Sequence, residues 1–353
     1  MSTLQLVTRP LDATPWGFRS RTFHVVIALA SVIPILLSGI VGIIFNIPIP
    51  VNLIIIFLPL QLIAAISAAI KTQGKRGIPD AILSVLVIFA TTFVVVMLGS
   101  VLYSVVRLGL RAMSAHFIYQ NSVYVTTTTS LDYGGAGHAL IGTLLIVGLA
   151  TLIAVPLGIA CAVYLTETRG RFRGIVRFVA QSMSGLPSIV SGLFIYSVFI
   201  FSGISRPAGW LASAALVLLM LPTIIRMAEE VLKLVPGELR YAALALGAPQ
   251  RRAFFQVVLP SAKTGLVTAV LLGLARIVGE SAPLLLVLLP TPMTSVNVFS
   301  GEMSTLPTFI FLALTAGFDS GRARAWAAAF LLLFVVGLIF VAARIFSGKK
   351  IGR

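Results

Sequence analysis

The chain alternates between long apolar runs and shorter polar segments. Eight runs carry the pattern, at about 24–46, 51–70, 80–106, 139–165, 174–202, 209–225, 264–289 and 325–346. An α-helix needs about 20 apolar residues to cross a hydrocarbon layer, and most of these runs reach that length. Apolar residues follow one another in them without the in-out alternation of barrel strands. The pattern predicts an all-α polytopic membrane protein with about eight transmembrane helices. The first run follows Arg19 and Arg21, as the apolar part of a signal peptide would. It is too long for that role, and "IFNIPIPVN" behind it has no small-x-small cleavage site, so a retained helix is expected.

Composition agrees. Of 353 residues, 58% are hydrophobic and 10% charged, where a soluble domain carries about 25% charged. The formal charge of +16 raises the question of nucleic acid. Its distribution answers it. With the N-terminus placed in the cytoplasm, twenty Lys and Arg fall on inside segments and five (Arg107, Arg111, Arg206, Arg322, Arg324) on outside ones. That asymmetry predicts a multi-pass protein with both termini cytoplasmic, and no nucleic-acid partner. Cys161, the single cysteine, lies in an apolar run and reads as a small core residue.

Several chemistries have no motif here. No stretch matches G-x-x-x-x-G-K-[ST], so the chain should not hydrolyse ATP. His24, His116 and His138 are scattered, and no metal site is suggested. No Gly-x-Ser-x-Gly elbow supports an intramembrane hydrolase. No internal repeat supports an inverted-repeat transporter.

Two features stand out against this background. Arg276 and Glu280 sit inside an apolar run, four residues apart in "ARIVGESAPLLLVLLP". Each is costly there, by roughly 2.5–3.5 kcal/mol at a helix centre. On one helix they would share a face, so that Glu280 holds Arg276 poised and limits its free charge. The guanidinium stays charged and forks onto oxyanions. The plain alternative is a salt bridge joining two helices. Arg226, with Glu229 and Glu230 nearby, reads equally as a functional cation or as a snorkelling arginine at a span end. In "SGLPSIVSG", Gly185, Pro187 and Gly192 interrupt a span, which predicts a bend. Ser184 and Ser188 beside it could meet an anion, or the small residues could simply permit close packing.

The second feature is the cytoplasmic segment "VPGELRYAALALGAPQRRAFFQVVLPSA", residues 235–262. Pro236-Gly237 breaks the preceding helix, "LRYAALAL" starts another, and Gly247 with Pro249 ends it. A further short helix over about 250–258 should stop at Pro260. This loop resembles the EAA motif of ABC importer permeases, in which Glu-Ala-Ala, three residues, Gly, nine residues, Ile, one residue and Leu-Pro follow in order. Ala242, Ala243, Gly247, Val257, Leu259 and Pro260 fall on that pattern, with Val257 for the isoleucine. Tyr241 replaces the glutamate, and Glu238, one turn earlier, is the nearest substitute.

The resemblance extends to "QSMSGLPSIVSGLFIY", "LPTIIRMAEEVLKLVP", "ARIVGESAPLL" and "RAWAAAFLLLFVVGLIFVAARI". Together these are similar to the phosphate-transport permeases of the PstA/PstC pair. Gly279-Glu280-Ser281-Ala282-Pro283-Leu284-Leu285 is nearest the PstA side. The resemblance covers roughly 80–346 and implies a six-helix permease domain. Residues 1–79, with two spans, would be an extension, and 347–353 a cytoplasmic tail.

It further implies that Arg276, Glu280 and Arg226 take part in moving phosphate, and that the loop forms a coupling helix against an ATPase. The partners implied are a PstC-like permease, a PstB-like ATPase dimer and a PstS-like extracytoplasmic phosphate-binding protein. ATP and Mg would be bound on the ATPase, with no cofactor on this chain. The expected location is a bacterial plasma (inner) membrane. An ABC permease for another oxyanion or small solute, and an ATP-independent transporter or channel, are the alternatives.

Overall fold

The computed structural model of the chain describes residues 21–126, 128–168 and 170–347. Arg9, Arg19, Arg169 and the tail after Ser347 lie outside the described residues. All regular structure among the described residues is helical. The chain divides into two compact units, Met1–Leu102 and Tyr103–Arg353.

In the first unit, α1 (Arg21–Ile44) and α2 (Ile49–Gln73) form a helical hairpin. Two of its polar side chains bond to backbone carbonyls of the neighbouring helix. Asn52 Nδ2 donates to Ser38 O at 2.9 Å, and Gln61 Nε2 to Ala30 O at 3.3 Å. In hydrocarbon such bonds tie helices that apolar contact alone would leave free to slide. The long helix α3 (Ile78–Ala112) follows.

The second unit is built on α5 (Gly137–Glu167) and α8 (Gly209–Leu234), which come after the short α4 (Ala115–Tyr119). Ile146, Ala150 and Ala154 of α5 are buried with Leu216, Leu219 and Ile224 of α8. Ser213 adds a bond from its hydroxyl to Ile146 O at 3.0 Å. The alanines and serines allow close approach, which is how packing holds membrane helices together. Around this pair lie α6 (Arg173–Ser184), α7 (Ser188–Phe201), α9 (Gly237–Ala245), α10 (Gln250–Val278), α11 (Ala282–Val287), α12 (Leu306–Thr315) and α13 (Asp319–Ser347).

Among the described residues, seven helices are long and apolar enough to cross a membrane, or eight with the α6–α7 pair as one span. Two expectations are corrected in shape. The run 264–289 is not one helix: α10 stops at Val278, and α11 begins at Ala282 after the link Gly279-Glu280-Ser281. The helix expected to end at Pro260 instead runs through it. A wide π-turn over Phe254–Val258 precedes Pro260, which falls in the first turn of the segment Leu259–Val278. There its missing N–H and fixed φ are tolerated. The predicted bend at Gly185 and Pro187 is present, and it turns the chain by 107°.

The segment between α4 and α5 is anchored by a cation. Arg324 of α13 is 3% exposed, and its Nη2 donates to the carbonyls of Thr129, Ser130 and Tyr133 at 3.1, 2.7 and 3.1 Å. Deleting a buried charged donor leaves those acceptors unpaired. Arg324→Met is therefore expected to cost about 3 kcal/mol. It should speed amide exchange over 129–133 in the detergent-solubilised protein. Unchanged exchange there would contradict the anchoring role.

Candidate functional site

Arg276 lies in the last turn of α10. The partial negative charge at a helix C-terminus favours a cation there. Its side chain is exposed, and Nη1 donates to the Thr223 hydroxyl of α8 at 3.1 Å. Glu280 does not share its helix face, because the helix has already ended; the Glu280 N–H donates to Ile277 O at 3.2 Å in the turn. Among the described residues the ion pairs are Arg177–Glu229, Lys233–Glu229, Arg240–Glu167 and Arg322–Asp319. None joins Arg276 to Glu280. The expected pair and the helix-joining salt bridge are both absent, since Gly279 ends the helix before the i+4 position.

Arg226 is exposed, and Glu229 is not its partner. The Glu229 carboxylate, 9% exposed, takes Arg177 of α6 at 2.6 Å and Lys233 at 2.9 Å. Arg226 and Thr223 are three residues apart on α8, so they share a face. The structure thus joins Arg276 to Thr223 across two packed helices, with Arg226 one turn further along α8 on the Thr223 face. Two of the three were singled out in the sequence, and Thr223 was not.

The helix break places the other motif beside this one. Ser184 closes α6 with its hydroxyl donating to Gln181 O at 2.7 Å. Ser188 opens α7, and its carbonyl accepts from Ser191 Oγ at 2.7 Å. No hydrogen bond among the described residues joins either serine to Arg276, Arg226 or Glu280. Gly192 packs directly on the α11 backbone: a Cβ there would sit 2.6 Å from Pro283 Cα and 2.7 Å from Pro283 O. So "SGLPSIVSG" and "GESAPLL", ninety positions apart, touch through their breaks, and for Gly192 the close-packing reading has this direct support.

The loop 235–262 is a helix–turn–helix whose first helix is exposed and whose second half is partly buried, with Phe254 and Val258 in a core cluster. Glu238 sits in the first turn of α9 and is exposed, as are Tyr241 and Ala242, while Ala243 is partly covered. The Tyr241 ring lies over Gly237. Gly247 has φ +80°. Its N–H donates to Leu244 O at 2.9 Å and the Ala248 N–H to Ala243 O at 3.1 Å. These are the two bonds of a Schellman cap, in which the left-handed position belongs to glycine. Val257, Leu259 and Pro260 follow in α10. A further carboxylate, Glu167 at the end of α5, meets this loop through Arg240 at 2.6 Å. Nothing in the sequence links two residues 73 positions apart.

Comparison with known proteins decides what this arrangement belongs to. Residues 154–350 match the family model "Binding-protein-dependent transport system inner membrane component". A phosphate transport system permease protein PstA of Pasteurella multocida (strain Pm70) is 34% identical over 278 residues, covering 78% of this chain and 96% of that protein. The chain belongs to the PstA-type permeases of the binding-protein-dependent transport systems. The permease PstA 1 of Mycobacterium tuberculosis (strain CDC 1551 / Oshkosh) is 43% identical over 211 residues, 60% of this chain and 69% of that one. The fold also matches a bacterial ABC transporter involved in the import of the acidic polysaccharide alginate. That match has TM-score 0.56 and 14% identity, and covers 78% of this chain and 99% of the other. The chain is therefore a transport subunit and not an enzyme.

The Gly247 turn gives the permease a testable weak point. Forcing a side chain into φ +80° costs about 1–2 kcal/mol and re-aims the α9–α10 turn. Gly247→Leu is expected to leave protein levels normal while lowering ATP-driven uptake severalfold. Normal uptake by Gly247→Leu would remove the loop from the coupling role.

Proposed function

We propose that the chain is the PstA-type subunit of an ATP-driven importer of inorganic phosphate in a bacterial plasma membrane. The near full-length match to a curated phosphate permease carries this reading. The chain would form the pathway with a homologous PstC-like permease. Two copies of a PstB-like ATPase would drive it, binding ATP and Mg themselves, and a PstS-like binding protein would deliver the anion. Residues 80–346 form the permease domain, 1–79 an extension of two spans, and 347–353 a cytoplasmic tail.

In this reading Arg276 meets the anion. The cation is exposed on its helix and held by a hydroxyl, so its charge is not cancelled. A guanidinium fork matches two oxygens of phosphate. Arg226, one turn from Thr223, extends the positive path towards the cytoplasm, with Glu280, Ser184 and Ser188 as further polar groups along it. On the inner face, α9 with Glu238, Tyr241, Ala242, Ala243 and the Gly247 turn enters the ATPase, and Val257, Leu259 and Pro260 carry its motion into α10. Closure of the ATPase pair on ATP draws the coupling helices together and opens the path outward. Hydrolysis resets it.

Arg276→Gln is expected to lower phosphate uptake in reconstituted vesicles by roughly tenfold to a hundredfold, the worth of a charged hydrogen bond, with the complex still assembled. Arg276→Lys should recover part of it, since a point charge replaces the fork. Uptake unchanged in Arg276→Gln would remove this residue from the path.

The distribution of Lys and Arg supports a topology with both termini in the cytoplasm. Tyr124 is 90% exposed and Leu246 is 90% exposed. A Tyr124→Cys variant should be labelled by an impermeant thiol reagent from outside. A Leu246→Cys variant should be labelled only after permeabilisation. The reverse result would invert the topology.

A further inference from the structure

The coupling helix α9 buries none of its residues. The helix packs mainly on the start of α10, where Phe254 and Val258 are buried with Ala162 of α5 and Leu232 of α8. Its covalent links are single strands of chain, Val235–Pro236 at one end and the Gly247 turn at the other. A short helix with no buried residue of its own is free to pivot unless a further tie holds it, and a pivoting helix cannot pass on the push of a partner.

One polar tie opposes that pivot. Glu167, the last residue of α5, takes Arg240 Nη2 on its Oε1 at 2.6 Å. The Glu167 side chain is 9% exposed and that of Arg240 29%. At that distance and burial the bond is short, charge-assisted and poorly screened. The Glu167 backbone carbonyl also accepts from Gln250 Nε2, at 3.2 Å, which ties the start of α10 to the same point. A cavity of about 880 Å³ adjoins the pair, lined by Thr166, Arg173, Tyr241, Arg251 and Phe254 among others. Glu167 thus reaches from the α5 end to both helices of the loop, through its carboxylate to Arg240 and its carbonyl to Gln250. Two residues before it, Leu165 is fully buried in a cluster with Ile225 of α8 and Ala180 of α6. Thr223, which holds Arg276, is two residues from Ile225.

We propose that Glu167 is the positioning residue of the coupling loop. Its ion pair with Arg240 makes α9 and α5 move as one body, so that displacement of α9 by the ATPase reaches the α5–α8 pair that carries Thr223. The motif glutamate is absent at Tyr241, and Glu238 is exposed. The carboxylate that works on this helix comes from a different helix and acts inside the permease. This inference rests on the proposed ATPase coupling.

The test uses the complete transporter in proteoliposomes, with both permeases, the ATPase and the binding protein, and reads phosphate moved per ATP hydrolysed. Glu167→Gln should lower that ratio about tenfold, the size of coupling expected between charged contact partners. The ATPase should still co-purify. Arg240→Lys, which keeps the charge, should lose less. A protein carrying Glu167→Cys with Arg240→Cys in a Cys161→Ser background should be uncoupled as made, and a short bismaleimide joining the two thiols should restore the ratio. A merely stabilising pair would change yield and melting temperature and leave the ratio alone. A normal ratio in assembled Glu167→Gln, or no recovery on crosslinking, overturns the inference. Absence of ATP-dependent uptake in the wild-type complex is a different result: it defeats the proposed function itself, and the inference with it.

Discussion

In hydrocarbon a backbone group without a partner costs several kcal/mol, so a helix can stop inside a membrane only where protein supplies what the lipid cannot. The second unit obeys that constraint at both of its interruptions. The chain turns by 107° at Gly185–Pro187 and breaks again at Gly279–Ser281. The limbs that follow, α7 and α11, pack against each other, with Gly192 on the Pro283 backbone. Each break thus lends the other a protein surface. Arg276 sits at the edge of this joint, on the last turn of α10, where the freed end of a helix favours its charge.

The end of the unit that carries the loop 235–262 is held by a different physics. The centre of the unit is fixed by small residues that let α5 and α8 approach, with Ala150, Ala154 and Ala215 fully buried. In the loop 235–262 only the second half is anchored in this way, with Phe254, Val258 and Ala262 buried against Ala162 and Leu232, while the order of α9 comes from a Schellman cap at Gly247 and from the Glu167–Arg240 pair. Polar ties of this kind suit a part that must be gripped by another protein: they fix direction without covering the exposed faces of Tyr241 and Leu246.

Long periodic features were legible in the sequence, and so were chain breaks with a covalent cause. The eight apolar runs, the Gly185–Pro187 bend and the Gly247 turn all follow from residue type at one place. What was not legible depends on distance in space. The π-turn before Pro260 let a helix continue where proline should have ended it. Gly279 ended α10 one residue before Glu280, and the Arg276–Glu280 pair expected from spacing disappeared with it. Thr223 was an unremarked hydroxyl beside Pro222, and its value comes only from α10 lying against α8. The Glu229–Lys233 pair is visible as an i,i+4 spacing, but its third member, Arg177, comes from α6. Glu167 and Arg240 carry no mark in the sequence at all.

The partner that Arg276 does have, the Thr223 hydroxyl, leaves its charge intact. A carboxylate would neutralise the guanidinium, and an arriving anion would first have to displace it. A hydroxyl orients one N–H and leaves the net charge intact. The remaining donors of the fork are then open to a doubly or singly charged oxyanion. The cost of carrying an uncancelled cation in a span is met in part by the α10 C-terminus and in part by exposure of the side chain. If Arg276 meets the anion as proposed, release cannot come from a resident competitor at this residue. It has to come from geometry: moving α8 against α10 moves Thr223, and with it the direction of the fork. In the proposed function such a site ties release to helix displacement, which is the quantity an ATP-driven coupling helix would supply.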